Sequence, residues 1–186
     1  MRKVIVTEYM TLDGVIEEPE WTAPYWNDEI AAFKQSELFA CDALLLGRVT
    51  YQGFAAAWPT RTDDGDGFTD RMNRLPKYVA STTLTATEWN ATRIEGDMAE
   101  AVAALKQQPG QNILVYGSGD LVQTLMRHDL VDEYSLLFYP VVLGGGKRLF
   151  READAIATLK LVDTKTFSTG VVALTYQPAR AADVSR

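Results

Sequence analysis

Two short apolar runs in this chain end in glycine and pass straight into helix-forming sequence. The first is Leu44-Leu45-Leu46-Gly47-Arg48-Val49-Thr50-Tyr51, and the second is Asn112-Ile113-Leu114-Val115-Tyr116-Gly117-Ser118-Gly119-Asp120-Leu121. After the second, Leu121, Val122, Leu125 and Met126 share one helical face. Strands that alternate with helices imply a mainly parallel sheet covered on both faces, with ligands at the carboxyl ends of its strands. The turns also suit an anion. Gly47 lets backbone come close, Arg48 offers a permanent fork-shaped charge, and Thr50 adds a hydroxyl beside helix-start amides. Gly117 and Gly119 flank Ser118 with the same economy of bulk, although Val122 stands where a dinucleotide fingerprint has its third glycine. Each turn alone could be plain architecture; two in one small chain favour binding.

The remaining pattern supports the same architecture. Val4 to Thr7 reads as the first strand and Asp13-Gly14 as a turn. Asn27 or Asp28 can cap a helix to about Phe39, with Ile30, Phe33, Glu37 and Leu38 on one side. Asp42 to Leu46 is the second strand, Gln52 to Trp58 a short helix, and Arg61 to Gly67 a loop. Lys77 to Ser81 and Glu88 to Ile94 read as strands, and Asp97-Met98-Ala99-Glu100 has capping-box form before a helix ended by Pro109-Gly110. Asn112 to Tyr116 is a strand, Asp120 to His128 a helix, and Tyr134 to Val142 a long apolar strand. Leu159 to Phe167 and Val171 to Gln177 suit an antiparallel hairpin around Gly170. One domain over residues 1–178 is expected, with 179–186 as a disordered tail.

Charge and rare residues exclude several functions. The net charge is -7 and no basic run appears, so a duplex-binding surface is not expected. Cys41 is the only cysteine and His128 the only histidine. No internal disulfide or cysteine/histidine zinc site can form, and a serine-histidine triad is disfavoured. Neither a signal peptide nor a membrane span is visible, which points to a cytoplasmic enzyme or binding protein.

Taken in order, the landmarks resemble the dihydrofolate reductase-like superfamily, and within it the reductase domain of riboflavin biosynthesis and its stand-alone relatives. They are Thr11-Leu12-Asp13-Gly14-Val15-Ile16, the Gly47 to Tyr51 turn, Leu75-Pro76-Lys77-Tyr78-Val79-Ala80-Ser81, Val115 to Gly119, Val131-Asp132-Glu133-Tyr134, and Pro140 to Phe150 with its three glycines. The resemblance runs from about Val4 to Tyr176. It implies a three-layer α/β fold, a mainly parallel sheet with a C-terminal antiparallel hairpin, and hydride transfer from NADPH to a small heterocyclic or sugar-derived substrate. The implied step is reduction of the ribosyl group of 5-amino-6-(5-phosphoribosylamino)uracil. Dihydrofolate reduction and a non-catalytic nucleotide-binding module are the alternatives.

The resemblance also assigns residues. Gly47, Arg48 and Thr50 would sit against cofactor phosphates, with Gly117, Ser118 and Gly119 as a second phosphate turn. Ser81 and Thr82 would lie at the adenosine side, although relatives often place a basic residue where this chain has Thr82; Arg71, Arg74 and Lys77 are weaker candidates to help Arg48. Asp13 would close near the nicotinamide, and Glu29 falls where dihydrofolate reductases carry their substrate-orienting acid. A turn role for Asp13 and a helix-dipole role for Glu29 compete with these. Trp21 and Trp26, with Tyr25, could pack a flat heterocycle or simply the core. Gly144-Gly145-Gly146 reads as a structural loop. A homodimer is expected, both because relatives are commonly dimeric and because Tyr134 to Val142 is apolar on both faces while the late hairpin has little to cover it.

Overall fold

The computed structural model describes residues 1–62, 65–151 and 157–179. Eight strands form one sheet in the order β4-β3-β2-β5-β1-β6-β8-β7. They are β1 (Val4–Thr11), β2 (Cys41–Gly47), β3 (Lys77–Ala80), β4 (Ala91–Arg93), β5 (Asn112–Tyr116), β6 (Glu133–Tyr139), β7 (Leu159–Thr166) and β8 (Val172–Pro178). The first six strands in that spatial order pair in parallel, and β8 and β7 add on antiparallel at one end. Helices are α1 (Asp28–Phe39), α2 (Arg48–Ala57), α3 (Phe68–Arg74), α4 (Met98–Gln107) and α5 (Gly119–Arg127), with a 3-10 helix at Pro19–Tyr25.

Strand alternation divides the apolar side chains between two layers. Ala43, Leu45, Ile113, Val115, Val4 and Val6 pack with Val102 of α4 and with Leu121, Val122 and Leu125 of α5. Leu44, Leu46, Leu114 and Val79 face the other way, onto Leu38 of α1, Tyr51 of α2 and Met72 of α3. A third cluster, around Ile30, Leu137, Tyr139 and Phe167, fills the space between α1 and the antiparallel end. This is the three-layer α/β fold expected from the sequence.

Local chemistry explains the element ends. Asn27 accepts the Ile30 N–H at 3.0 Å to start α1, and Asp97 accepts the Glu100 N–H at 2.9 Å to start α4. Gly170, at φ +86°, turns the β7–β8 hairpin. The 144–146 loop is fixed by Asp13, which accepts the Gly144 N–H at 2.8 Å.

Several boundaries differ from the sequence reading. β1 runs on through Glu8 to Thr11, because β6 pairs with it residue by residue as far as Thr11–Tyr139. α2 begins at Arg48 rather than Gln52, α3 forms directly after the expected loop, and β4 keeps only three residues. The expected tail begins with Ala179, whose N–H donates to the Thr158 carbonyl at 2.9 Å. Residues 180–186 lie outside the described residues. At the antiparallel end, β7 is exposed along most of its length, with Leu161 and Val162 among the exposed apolar side chains.

Candidate active site

The topology itself makes a crevice. β2 is followed by α2 and the chain moves outward to β3 and β4; β5, its neighbour, is followed by α5 and the chain moves the other way, to β6. Adjacent parallel strands that lead apart in this way leave an opening at their carboxyl ends. β1 deepens it. The last β1–β5 pair is Thr7–Tyr116, but β1 continues four residues further along β6, so one edge of Glu8 to Thr11 stands free of β5. The result is a cleft of about 860 Å³, within the size range of small-molecule and cofactor sites.

Both glycine turns open onto it. Gly47, Arg48, Thr50, Gly117, Ser118 and Gly119 all line the cleft, as do Ser81 and Thr82. Ser118 ties the two turns together: its hydroxyl accepts the Gly47 N–H at 2.8 Å and lies 3.0 Å from Thr50 Oγ1. Ser118 adopts φ +70° and Gly117 φ +53°, so the chain makes two left-handed residues in a row before α5. A Cβ added at Gly117 would meet Thr50 Oγ1 at 3.2 Å, and one at Gly119 would meet Ile16 Cδ1 at 2.9 Å. Gly117 thus allows the start of α5 to lie close to Thr50 of α2, and Gly119 leaves room for Ile16; the first turns of both helices line the cleft, and helix starts carry partial positive charge. Arg48 is exposed there, its guanidinium bonded to Gln52 at 3.0 Å. Lys147 and Arg151 line the same opening, and Arg151 pairs with Asp120 at 2.7 Å. Helix-start amides with basic side chains beside them are chemically able to hold phosphate groups. Ser81 is already engaged, accepting the Thr83 and Leu84 N–H groups at 3.1 and 3.0 Å.

The inner end of the cleft is polar, buried and assembled from distant elements. Thr7, Glu8, Tyr9, Lys34 and Tyr116 line it. The Lys34 ammonium donates to Thr7 Oγ1 at 2.6 Å and to Glu37 Oε2 at 2.5 Å, and it lies 5.2 Å from the Tyr9 ring centre and 5.0 Å from that of Tyr116. Burial pushes the Tyr9 and Tyr116 hydroxyls well above the usual phenol range. Burial also pushes the Glu8 carboxyl up to about 8, against a smaller pull downward from Lys34. Sequence reading passed over this group. Its signals were an acid inside the run Val4-Ile5-Val6-Thr7-Glu8-Tyr9-Met10 and a lysine midway between the buried Ile30 and Leu38 of α1.

The other expected site residues lie elsewhere. Asp13 accepts from the Thr11 hydroxyl at 2.6 Å and from the Leu143 and Gly144 amides, which hold its carboxyl down at about 2. Glu29 is exposed at the start of α1 and accepts from the Ser168 hydroxyl and amide, bonds that lower its pKa. Neither is among the residues lining the cleft. Trp21 donates to the Glu17 carbonyl and packs edge-on to Tyr139, while Trp26 packs against Tyr9; the cleft reaches Tyr9 but neither tryptophan. Arg71 bonds the Cys41 carbonyl, Arg74 pairs with Asp70, and Lys77 sits over the Trp89 ring, so none of the three lines the cleft.

Comparison with known proteins identifies the family. Residues 2–173 match the RibD C-terminal domain family. The chain belongs to that family. The Bacillus subtilis (strain 168) protein YyaP, itself described as uncharacterised, is 35% identical over 182 residues, 94% of each chain. Among solved structures, a Shewanella sp. PV-4 protein ascribed to riboflavin biosynthesis superposes with a TM-score of 0.79 at 22% identity, covering 96% of this chain and 99% of that one. The Thermotoga maritima diaminohydroxyphosphoribosylaminopyrimidine deaminase/5-amino-6-(5-phosphoribosylamino)uracil reductase superposes with a TM-score of 0.67 at 15% identity. The match covers 96% of this chain and 57% of the Thermotoga protein. At these identities the superpositions establish the shared fold, and the family match establishes a RibD C-terminal domain.

Proposed function

We propose that the protein is an NADPH-dependent reductase. The observation that supports this best is the pair of helix starts held side by side by Ser118, with Arg48, Lys147 and Arg151 around the same opening. NADPH fits that donor set: its phosphates would meet the amides of α2 and α5 and the Arg48 guanidinium, and its adenosine end would lie toward Ser81 and Thr82. Bound there, the cofactor supplies hydride; the protein positions the nicotinamide and excludes water. The polar inner end, around Tyr9 and Lys34, then takes the hydride acceptor. A small polar heterocycle bearing a sugar fits it, and a compound of the type 5-amino-6-(5-phosphoribosylamino)uracil is our first choice. Asp13 and Glu29 act in this reading through loops flanking the cleft, Asp13 by holding the 144–146 loop that leads to Lys147 and Glu29 by holding the hairpin turn at Ser168. Their placement does not support direct duty on the substrate, and with Glu29 outside the cleft the feature favouring a pterin substrate is missing.

The exposed Leu161 and Val162 on the edge strand β7 keep a homodimer in the reading, as a second copy would cover them. Among the described residues no helix is long and apolar enough to cross a membrane, and a cytoplasmic setting suits a reductase drawing on free NADPH. The test is turnover. Loss of reduced-nicotinamide absorbance in the presence of 5-amino-6-(5-phosphoribosylamino)uracil is expected; binding of NADPH with no turnover of that compound or of dihydrofolate would favour a non-catalytic nucleotide-binding module.

A further inference from the structure

Glu8 is an acid in the middle of a buried strand. It is 5% exposed, on the sheet face it shares with Val6 and Met10, and it lines the cleft one residue past the last β1–β5 pair. Its Oε1 is closed off and has no hydrogen-bond partner among the described residues. Buried polar atoms are nearly always paired, so an unpaired carboxyl oxygen at a ligand cleft calls for a reason. The place supplies one. Beside it, β5 gives way to Gly117, so Glu8 stands at the seam between the phosphate turns and the Tyr9–Lys34 floor.

Its electrostatic surroundings keep it neutral at ordinary pH. Among the described residues, Lys34 of α1 is the cation whose charge lowers its pKa, and that ammonium is already committed to Glu37 and Thr7. Tyr9 of β1 and Tyr116 of β5 are buried phenols held above their usual range. Glu17 and Glu18 after β1, Arg48 of α2, Asp120 of α5, and Lys147 and Arg151 after β6 complete the charged lining, the last paired with Asp120. Desolvation outweighs these and raises the Glu8 carboxyl to about 8.

We propose that Glu8 is the acid that protonates the substrate reduced in this cleft, a compound whose hydride-accepting carbon belongs to a carbonyl or imine. This rests on the reductase reading above. The carbon takes hydride, with its two electrons, from the reduced nicotinamide. The π pair of the C=O or C=N bond takes the Glu8 proton at oxygen or nitrogen. An alcohol or amine, oxidised cofactor and a Glu8 carboxylate result, and solvent returns the proton once product leaves. A positioned acid whose pKa lies near the operating pH is the arrangement that general acid catalysis favours.

Glu8→Gln keeps the shape and removes the proton; Glu8→Asp keeps an acid if glutamine disturbs folding. With NADPH and 5-amino-6-(5-phosphoribosylamino)uracil as the probe, Glu8→Gln should bind NADPH within about threefold of wild type. Its turnover should fall about 10²-fold or more. Wild-type kcat/KM should decline as pH rises through about 8, that of Glu8→Gln should be flat, and Glu8→Asp should keep a declining profile. Independently of any ligand, the infrared spectrum at pH 7 should show a protonated carboxyl band that Glu8→Gln lacks. An ionised Glu8 at pH 7, or a Glu8→Gln enzyme with wild-type rate and pH profile, would overturn the inference. So would wild type that binds NADPH but leaves the probe unreduced. Failure of wild type to bind NADPH would instead overturn the reductase reading itself.

Discussion

Replacing Lys34 with methionine tests the polar floor of the cleft. The side chain is 3% exposed and its partner, Glu37, 11%. Methionine keeps the length of the stem but removes the ammonium that donates to Glu37 at 2.5 Å and to Thr7 at 2.6 Å. The Glu37 carboxylate would keep only the Thr7 hydroxyl, which lies 3.1 and 3.2 Å from its two oxygens. Breaking a buried pair from one side costs about 3–5 kcal/mol, because the remaining charge is uncompensated. Removing both charges is different. Lys34→Met with Glu37→Met should recover most of that loss, since apolar replacement of a buried pair is commonly neutral or stabilising. Urea unfolding at pH 7 gives both values. A single variant within about 1 kcal/mol of wild type, or a double variant no better than the single, would refute the argument that this pair is a closed, desolvated unit.

Other perturbations probe other parts. Gly119→Val should fold yet bind NADPH at least tenfold more weakly, because its Cβ would meet Ile16 at 2.9 Å and Arg151 at 3.3 Å in the cleft lining; normal binding by the folded variant would contradict this. Glu8 should give stability an inverse pH dependence. Its folded pKa of about 8 lies above the ordinary 4.5, so the folded state holds the extra proton and stability from this group declines from about pH 4.5 to pH 8. Glu8→Gln should therefore flatten the stability profile across that window, and an unchanged profile would count against a protonated Glu8. Light scattering at low micromolar concentration should report twice the 20.6 kDa chain mass; a mass near 20.6 kDa would remove the dimer.

The sequence displayed the fold where information is local. Asn27, Asp97, Gly117 and Gly170 act within a few residues of themselves, and each marks the element end it was read to mark. Boundaries failed where a partner strand decides. β1 seemed to stop at Thr7 because Glu8 is charged, but pairing with β6 carries the strand through it. α3 is only seven residues long and comes after a glycine-containing polar stretch, so its pattern was too short to stand out. The site divides in the same way. The two glycine turns that line the cleft are contiguous in sequence and were legible as turns, whereas Glu8, Lys34 and Tyr116 meet only through the β1–β5 pairing and the packing of α1. Glu29 and Asp13 show the converse: an acid at a helix start or in a turn looks available in sequence, and each is engaged by backbone amides, of Ser168 and of Gly144.

A calorimetric titration of NADPH into wild type and Arg48→Ala tests the central claim most directly. The account predicts saturable binding to wild type and a loss of about 1.5–3 kcal/mol in the variant, the range of a charge-assisted contact. The loss should be larger for NADPH than for NADH if the arginine meets the 2′-phosphate. No saturable binding to wild type, or superimposable curves for the two proteins with both cofactors, would contradict it.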